Sequence, residues 1–282
     1  SVVVVLLDFA ISLLVPLLLK TMIRIRGSRY AEDDAKADAA PVSVDAALAQ
    51  AKIECPHLLE EVEGMAIGAN VSVQSLLRLN GGGAVMPWQG AEPEPEADTG
   101  GCTSLAMVVD RGKAGQSSLL GQNWDNEPRV DPYTIVTIRR PSARDVPSSI
   151  CVGRAGLIGY IGFSSSGFGI LLNALKGEGT TGLPLYFNVR RVLESTSLEQ
   201  AVSTLRGSKR DRPNNLTIVS PQGPAHLEVT CESVGVVRPT CEGTDENCCT
   251  SCRTGHLLHT NHYLHKDLAH RRLCASSRSA HA

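Results

Sequence analysis

Cys102 follows Gly100-Gly101 and heads an apolar run, Thr103 to Val109. Glycine on the N-terminal side lets the backbone take unusual angles and lets a nucleophile approach the peptide carbonyl closely. A thiol placed there can attack the Gly101 carbonyl. If the thioester so formed is hydrolysed, Cys102 becomes a new N-terminus. Its α-amine, with an ordinary pKa of about 7.7–8.0, can then serve as base for its own thiol. The plain alternative is a buried cysteine that starts a strand, since cysteine is often buried and inert.

The elements around Cys102 must hold it. Upstream, Pro56 fits the first position of a helix that continues through His57 to Val62. Ser72 is placed to cap a second helix, Val73 to Leu79, ended by Asn80 and three glycines. Ala91 to Gly101 alternates Glu and Pro and reads as an extended, solvated segment, the clearest boundary in the chain. Downstream, Thr103–Val109, Ser117–Gln122, Tyr133–Arg139, Ile150–Ile161 and Gly169–Ala174 read as strands. Ser164 to Gly167 and Pro221 to Gly223 are turn signals. A helix starts near Pro184 with Leu185, Val189 and Val192 on one face. A second opens on Ser197 and Gln200, at capping-box spacing, and ends at Gly207. Leu216–Val219, His226–Cys231 and Val234–Val237 return to strand. The expected class is α+β, with sheets packed on each other or on helices.

Composition narrows the function. The 282 residues carry 27 Lys+Arg against 29 Asp+Glu, a net charge of −2, which offers nucleic acid no basic stripe. Apolar residues at 42% exclude a disordered chain, and aromatics at 4% leave the core to Leu, Val, Ile and Ala. Nine cysteines is an odd number, unlike a complete disulfide framework. Cys249-Thr250-Ser251-Cys252 has C-x-x-C spacing with His256 beyond it, alongside Cys241 and Cys248. No second C-x-x-C pair completes a zinc knot, so a solvated or disulfide-capable loop is the simpler reading. His259 and His262 likewise lack a carboxylate or thiol at ligand spacing, and no metal is assigned. Ser1 to Leu19 is almost wholly apolar and is followed by Lys20, Arg24 and Arg26. Its charges come after the apolar run rather than before, which disfavours a signal peptide. Two readings of residues 1–27 stand, a membrane anchor or an artefact of how the chain start was assigned.

Four segments fall in order, the first holding the nucleophile: Gly101-Cys102-Thr103-Ser104, Gly121-Gln122-Asn123-Trp124-Asp125, Asn173-Ala174-Leu175 and His259-Thr260-Asn261-His262, preceded by Leu59 to Ala69. This series resembles the penicillin acyltransferase family (acyl-coenzyme A:6-aminopenicillanic acid acyltransferase and its relatives), over roughly Cys55 to Arg271. The resemblance implies a four-layer αββα fold of the N-terminal-nucleophile hydrolase type. It also implies a precursor that cuts itself between Gly101 and Cys102, so that the mature protein is a heterodimer of its own two fragments. It makes Cys102 the nucleophile, Asp125 an acidic residue of processing and site organisation, and Asn261 the amide that stabilises the oxyanion. Ser104 and Asn173 stand as supporting residues. The implied substrate is a small-molecule N-acyl amide or acyl thioester, and coenzyme A enters as a thioester acyl donor rather than a cofactor.

The chain departs from the family pattern at Gly81-Gly82-Gly83-Ala84, where an Arg- and Glu-bearing run is expected. After Asn261 it is shorter than the pattern, so the sandwich is expected to be incomplete at the C-terminus. Residues 28–101 are then linker and pre-nucleophile segment, and 102–282 the nucleophile-bearing part. The family suggests a cytoplasmic or peroxisome-related location, although Ala280-His281-Ala282 is not a peroxisomal tripeptide. If residues 1–19 are an anchor, the location is membrane-associated. The rival to an amidohydrolase or acyltransferase is an inactive remnant, or an anchored interaction protein with a Cys-rich loop.

Overall fold

The computed structural model describes residues 44–81, 101–110, 116–124, 128–177, 179–239 and 256–268. Among the described residues three helices come first: α1 (Val44–Glu54), α2 (Pro56–Ala69) and α3 (Val73–Leu79). Pro56 opens α2 where its missing N–H costs nothing, and Asn70 closes it in the left-handed conformation at φ 51°. Ser72 accepts from the Ser75 amide and caps α3. The α1 segment is Ala-rich with little amphipathic contrast, and the sequence pattern does not announce it.

Ten strands follow among the described residues, in two antiparallel sheets. A three-stranded sheet has the order β10-β1-β2, built from β1 (Cys102–Asp110), β2 (Gln116–Trp124) and β10 (His256–His259). A seven-stranded sheet runs β3 (Thr134–Arg139), β4 (Ser149–Arg154), β5 (Ile161–Ser164), β6 (Gly169–Ala174), β7 (Asn214–Ser220), β8 (Gly223–Val229) and β9 (Val234–Val237). Helices α4 (Leu185–Leu193) and α5 (Leu198–Arg206) lie between β6 and β7 in the chain. Ser197 caps α5 by accepting from the Gln200 amide, while the Gln200 side chain turns to Thr196 instead of closing the reciprocal half of a capping box.

The expected strand Ile150–Ile161 is two strands, β4 and β5, joined by a buried connection from Ala155 to Tyr160. The chain turns at Gly156, φ +87°. Asn80 clamps that turn. Its Nδ2 donates to Gly156 O at 2.8 Å and its Oδ1 accepts from Ile158 N at 2.9 Å. At Gly162 a Cβ would sit 2.1 Å from Ile150 O, so only glycine lets β5 lie against β4 there.

Strand periodicity divides the faces of the large sheet. Ile170, Leu172, Leu216, Ile218, Ala225, Leu227 and Val229 join the main core with the helices. The alternate residues face the small sheet, where Ala106, Val219 and Leu257 form an apolar contact. The fold is thus α+β, with helices on one face of the seven-stranded sheet and the three-stranded sheet across the other. Among the described residues no helix is long and apolar enough to cross a membrane. Residues 1–27, the Glu/Pro segment 91–100 and the cysteines from Cys241 to Cys252 lie outside the described residues.

Candidate active site

Cys102 is the first residue of β1, pairing with Trp124 of β2. Its backbone N–H donates to Asn261 Oδ1 at 2.9 Å, and Asn261 Nδ2 donates to Ala174 O at 2.8 Å. The two partners fix the amide orientation, since an N–H can meet only the oxygen and a carbonyl only the NH₂. Gly101 lies next to the same side chain: a Cβ built there would sit 3.6 Å from Asn261 Oδ1. Asn261 therefore bridges the Gly101–Cys102 bond and the end of β6.

Among the described cysteines Cys102 differs in setting. Cys55 is fully buried, and burial pushes its thiol up to about 12. Cys151 is 2% exposed, and burial also raises the Cys231 thiol. Cys102 is half-buried at a strand end. A reactive thiol needs access and a polar setting.

Ser104 and Asn173 meet. Ser104 is on β1 and fully buried, and its Oγ donates to Asn173 Oδ1 at 2.7 Å. Ser104 has one hydroxyl proton, so the Thr217 hydroxyl, 2.6 Å away, must donate to it. Thr217 in turn has spent its proton, so His226 Nδ1, 2.9 Å from Thr217 Oγ1, carries a hydrogen and donates. Asn215 Nδ2 donates to both Asn173 Oδ1 and Thr217 Oγ1. A directed hydrogen-bond chain thus runs from His226 through Thr217 and Ser104 to Asn173, whose Nδ2 faces His259 O at 3.4 Å. Burial first, and then neighbouring His259, hold the His226 pKa down to about 3, so its ring stays neutral. Its Nε2 has no hydrogen-bond partner among the described residues.

His259 packs edge-on against His226, ring centroids 4.9 Å apart, and its Nε2 lies 2.8 Å from Glu228 Oε1. It does not converge with His262, which is exposed and lies 3.3 Å from Thr260 Oγ1. No group of three metal-ligating side chains forms among the described residues. Asp125 lies outside the described residues.

Sequence reasoning missed Asn215, Thr217, His226 and Glu228. The available signal was their spacing: Asn173, Asn215, Thr217, His226 and Glu228 all fall on the alternate positions of three neighbouring strands. A polar row on one strand face normally means solvent; here a second sheet covers it.

Comparison with known proteins bears on this site. Residues 111–282 match the family model described as acyl-coenzyme A:6-aminopenicillanic acid acyl-transferase, a span that takes in Asn173, Glu228 and Asn261 and begins just after β1. The 40 kDa form of acyl-coenzyme A:6-aminopenicillanic-acid-acyltransferase from Emericella nidulans is 34% identical over 149 residues, covering 52% of this chain. The match takes in 38% of that relative's length. The chain belongs to the acyl-coenzyme A:6-aminopenicillanic acid acyl-transferase family.

Proposed function

We propose that the chain is a self-processing cysteine acyltransferase or amidohydrolase that carries its acyl group as a thioester on Cys102. The observation that supports this best is the Asn261 side chain, held against the N–H of Cys102 and against Gly101 at the head of β1. In the uncut chain Cys102 Sγ attacks the Gly101 carbonyl carbon. The C–N bond breaks, Cys102 N leaves as the free α-amine, and the acyl group sits on sulfur. Water then hydrolyses the thioester, giving a Gly101 carboxylate and a free thiol. Asn261 Oδ1 accepts from Cys102 N before the cut and from the α-amine after it. That amine, a group whose unperturbed pKa is about 7.7–8.0, takes the thiol proton.

In turnover the acyl carbon of an N-acyl amide or of an acyl-coenzyme A thioester is attacked by Sγ, and the amine or thiol departs with a proton. Water or an acceptor amine then takes the acyl group. The relative's name specifies 6-aminopenicillanic acid as acceptor, and an amine of that class is the acceptor proposed here. Negative charge grows on the acyl oxygen at each step. Asn261 Nδ2 has two hydrogens, one held by Ala174 O, and the second serves this oxyanion. Asp125, which follows β2 in the sequence, is assigned to order the new ammonium, and Ser104 with Asn173 ties the start of β1 to the end of β6. The helix–sheet–sheet order is compatible with three layers of the αββα sandwich proposed here. Exposed Leu119 and Leu258, on the outer face of the small sheet, are where the fourth layer belongs.

The test is the intact mass of the purified chain. Fragments 1–101 and 102–282 are expected, Cys102→Ala stays whole, and Cys102→Ser cuts slowly because a hydroxyl is the poorer nucleophile. A folded wild-type chain that stays whole through long incubation at neutral pH overturns the processing step.

A further inference from the structure

Glu228 projects from β8 into the space between the sheets and is 0% exposed. A buried carboxylate must be met on its lone pairs. Three donors meet this one. His259 Nε2 and the Leu264 amide reach Oε1, and the His265 amide reaches Oε2 at 3.0 Å. These donors come from both ends of one stretch of chain. His259 is the last residue of β10, and Leu264 and His265 follow the turn that carries Asn261. His259 is tied to the turn a second time, its Nδ1 lying 2.6 Å from Thr260 O. Both ring nitrogens face oxygen atoms, Thr260 O and Glu228 Oε1, so the ring is held at both ends.

We propose that Glu228 is a positioning residue for Asn261: its carboxylate cinches residues 259–265 into a closed turn and so sets the Asn261 amide against Cys102 N and Ala174 O. The proposal rests on the functional reading above for its catalytic consequence, but the positioning itself does not. Glu228 acts on Asn261 through the turn, by its bonds to His259, Leu264 and His265. Tyr263 adds an outer tether, its hydroxyl donating to Lys176 O at 3.0 Å. Without the carboxylate, two backbone amides and His259 Nε2 lose their partner, and the turn has to open to hydrate them.

The positioning is tested in the full-length Cys102→Ala chain, which stays uncut and keeps a backbone amide at position 102. Hydrogen–deuterium exchange is followed residue by residue for Glu228→Gln and Glu228→Leu. Exchange at position 102 should rise about tenfold in Glu228→Leu and by less in Glu228→Gln, which keeps one acceptor oxygen, while Leu216 and Leu227 amides in the core sheet keep their protection. Unchanged exchange at 102, with faster exchange only at Leu264 and His265, overturns the proposal. If Glu228→Leu exposes every core amide together, Glu228→Gln alone decides by the same criterion.

The catalytic consequence is tested in the processing-competent chain through the self-cleavage rates of Glu228→Gln, Asn261→Leu and the double variant. A residue that works through Asn261 adds nothing once Asn261 is gone, so the double variant should cut within about twofold of Asn261→Leu alone. A double variant slowed by the product of the two single effects overturns the proposal. A wild-type chain that never cuts removes the functional reading, and the exchange experiment still decides the positioning.

Discussion

Acid should destabilise this protein through His226, and the size of the effect follows from where the ring lies. His226 is fully buried between the sheets, and burial, with His259 beside it, lowers its pKa from 6.5 to about 3. In the unfolded chain the ring binds a proton as soon as pH falls below 6.5; in the folded chain it does not until about 3. The unfolded state therefore binds more protons across this window, and stability falls as pH falls. The contribution is complete above pH 6.5 and is lost progressively toward pH 3. One pH unit corresponds to about 1.4 kcal/mol, so at pH 5 the loss is about 2 kcal/mol. Asp211 runs the other way: burial lifts its carboxyl from 3.8 to about 6, so it favours folding as pH falls from 6 to 3.8. A single pH titration mixes the two, and a difference between proteins separates them. In the uncut Cys102→Ala background, His226→Asn keeps a donor toward Thr217 Oγ1 and cannot titrate. Urea unfolding at pH 7 and pH 5 should show the parent losing about 2 kcal/mol more than the His226→Asn variant. Equal losses in the two proteins would refute the argument that the ring is held neutral.

Asn261→Leu in matured protein should lower kcat by about 10²–10³ and leave KM nearly unchanged, because the amide is needed most in the transition state; normal turnover of a small N-acyl amide removes it from the site. Asn80→Leu deprives Gly156 O and Ile158 N of their partners in the core and should cost about 2–4 kcal/mol in urea unfolding, whereas a loss under about 0.5 kcal/mol would mean water replaces the amide. Iodoacetamide at pH 7.5 should alkylate Cys102 well ahead of Cys55, read by peptide mass, since the Cys55 thiol is buried and pushed up to about 12; equal labelling of the folded protein contradicts this.

Much of the framework could be read from residue order. Pro56, Ser72 and Ser197 mark their helix starts by local chemistry that no distant contact overrides. Gly169–Ala174 and Val234–Val237 are strands at the expected residues because each is a short apolar run between turn signals. Ile150–Ile161 misled because its break depends on a distant residue: Asn80 bonds the turn around Gly156, and nothing local to the run reveals that clamp. Of the site, Cys102, Ser104, Asn173 and Asn261 are legible as motif residues, and the structure brings Ser104 onto Asn173 and Asn261 onto Cys102. Thr217, His226 and Glu228 are not legible because alternation says which face a residue takes, never which second sheet will cover that face.

If the Gly101–Cys102 bond is cut as proposed, the three described helices ahead of it acquire a different meaning. Leu58, Val62, Leu76 and Leu77 belong to the main core, and Glu54 reaches across to Arg191. Each such apolar side chain is worth about 1.5–3 kcal/mol out of water. After cleavage those same contacts become the dry interface between two polypeptides, with no tether to restore them. Before the cut, a chain that unfolds can refold by itself at a rate independent of concentration. After it, the two pieces must find each other in solution, and an exposed seven-stranded sheet waits for its helices in the meantime. Maturation would then act as a ratchet: the protein folds once as a single chain, and its later lifetime is set by how slowly it opens.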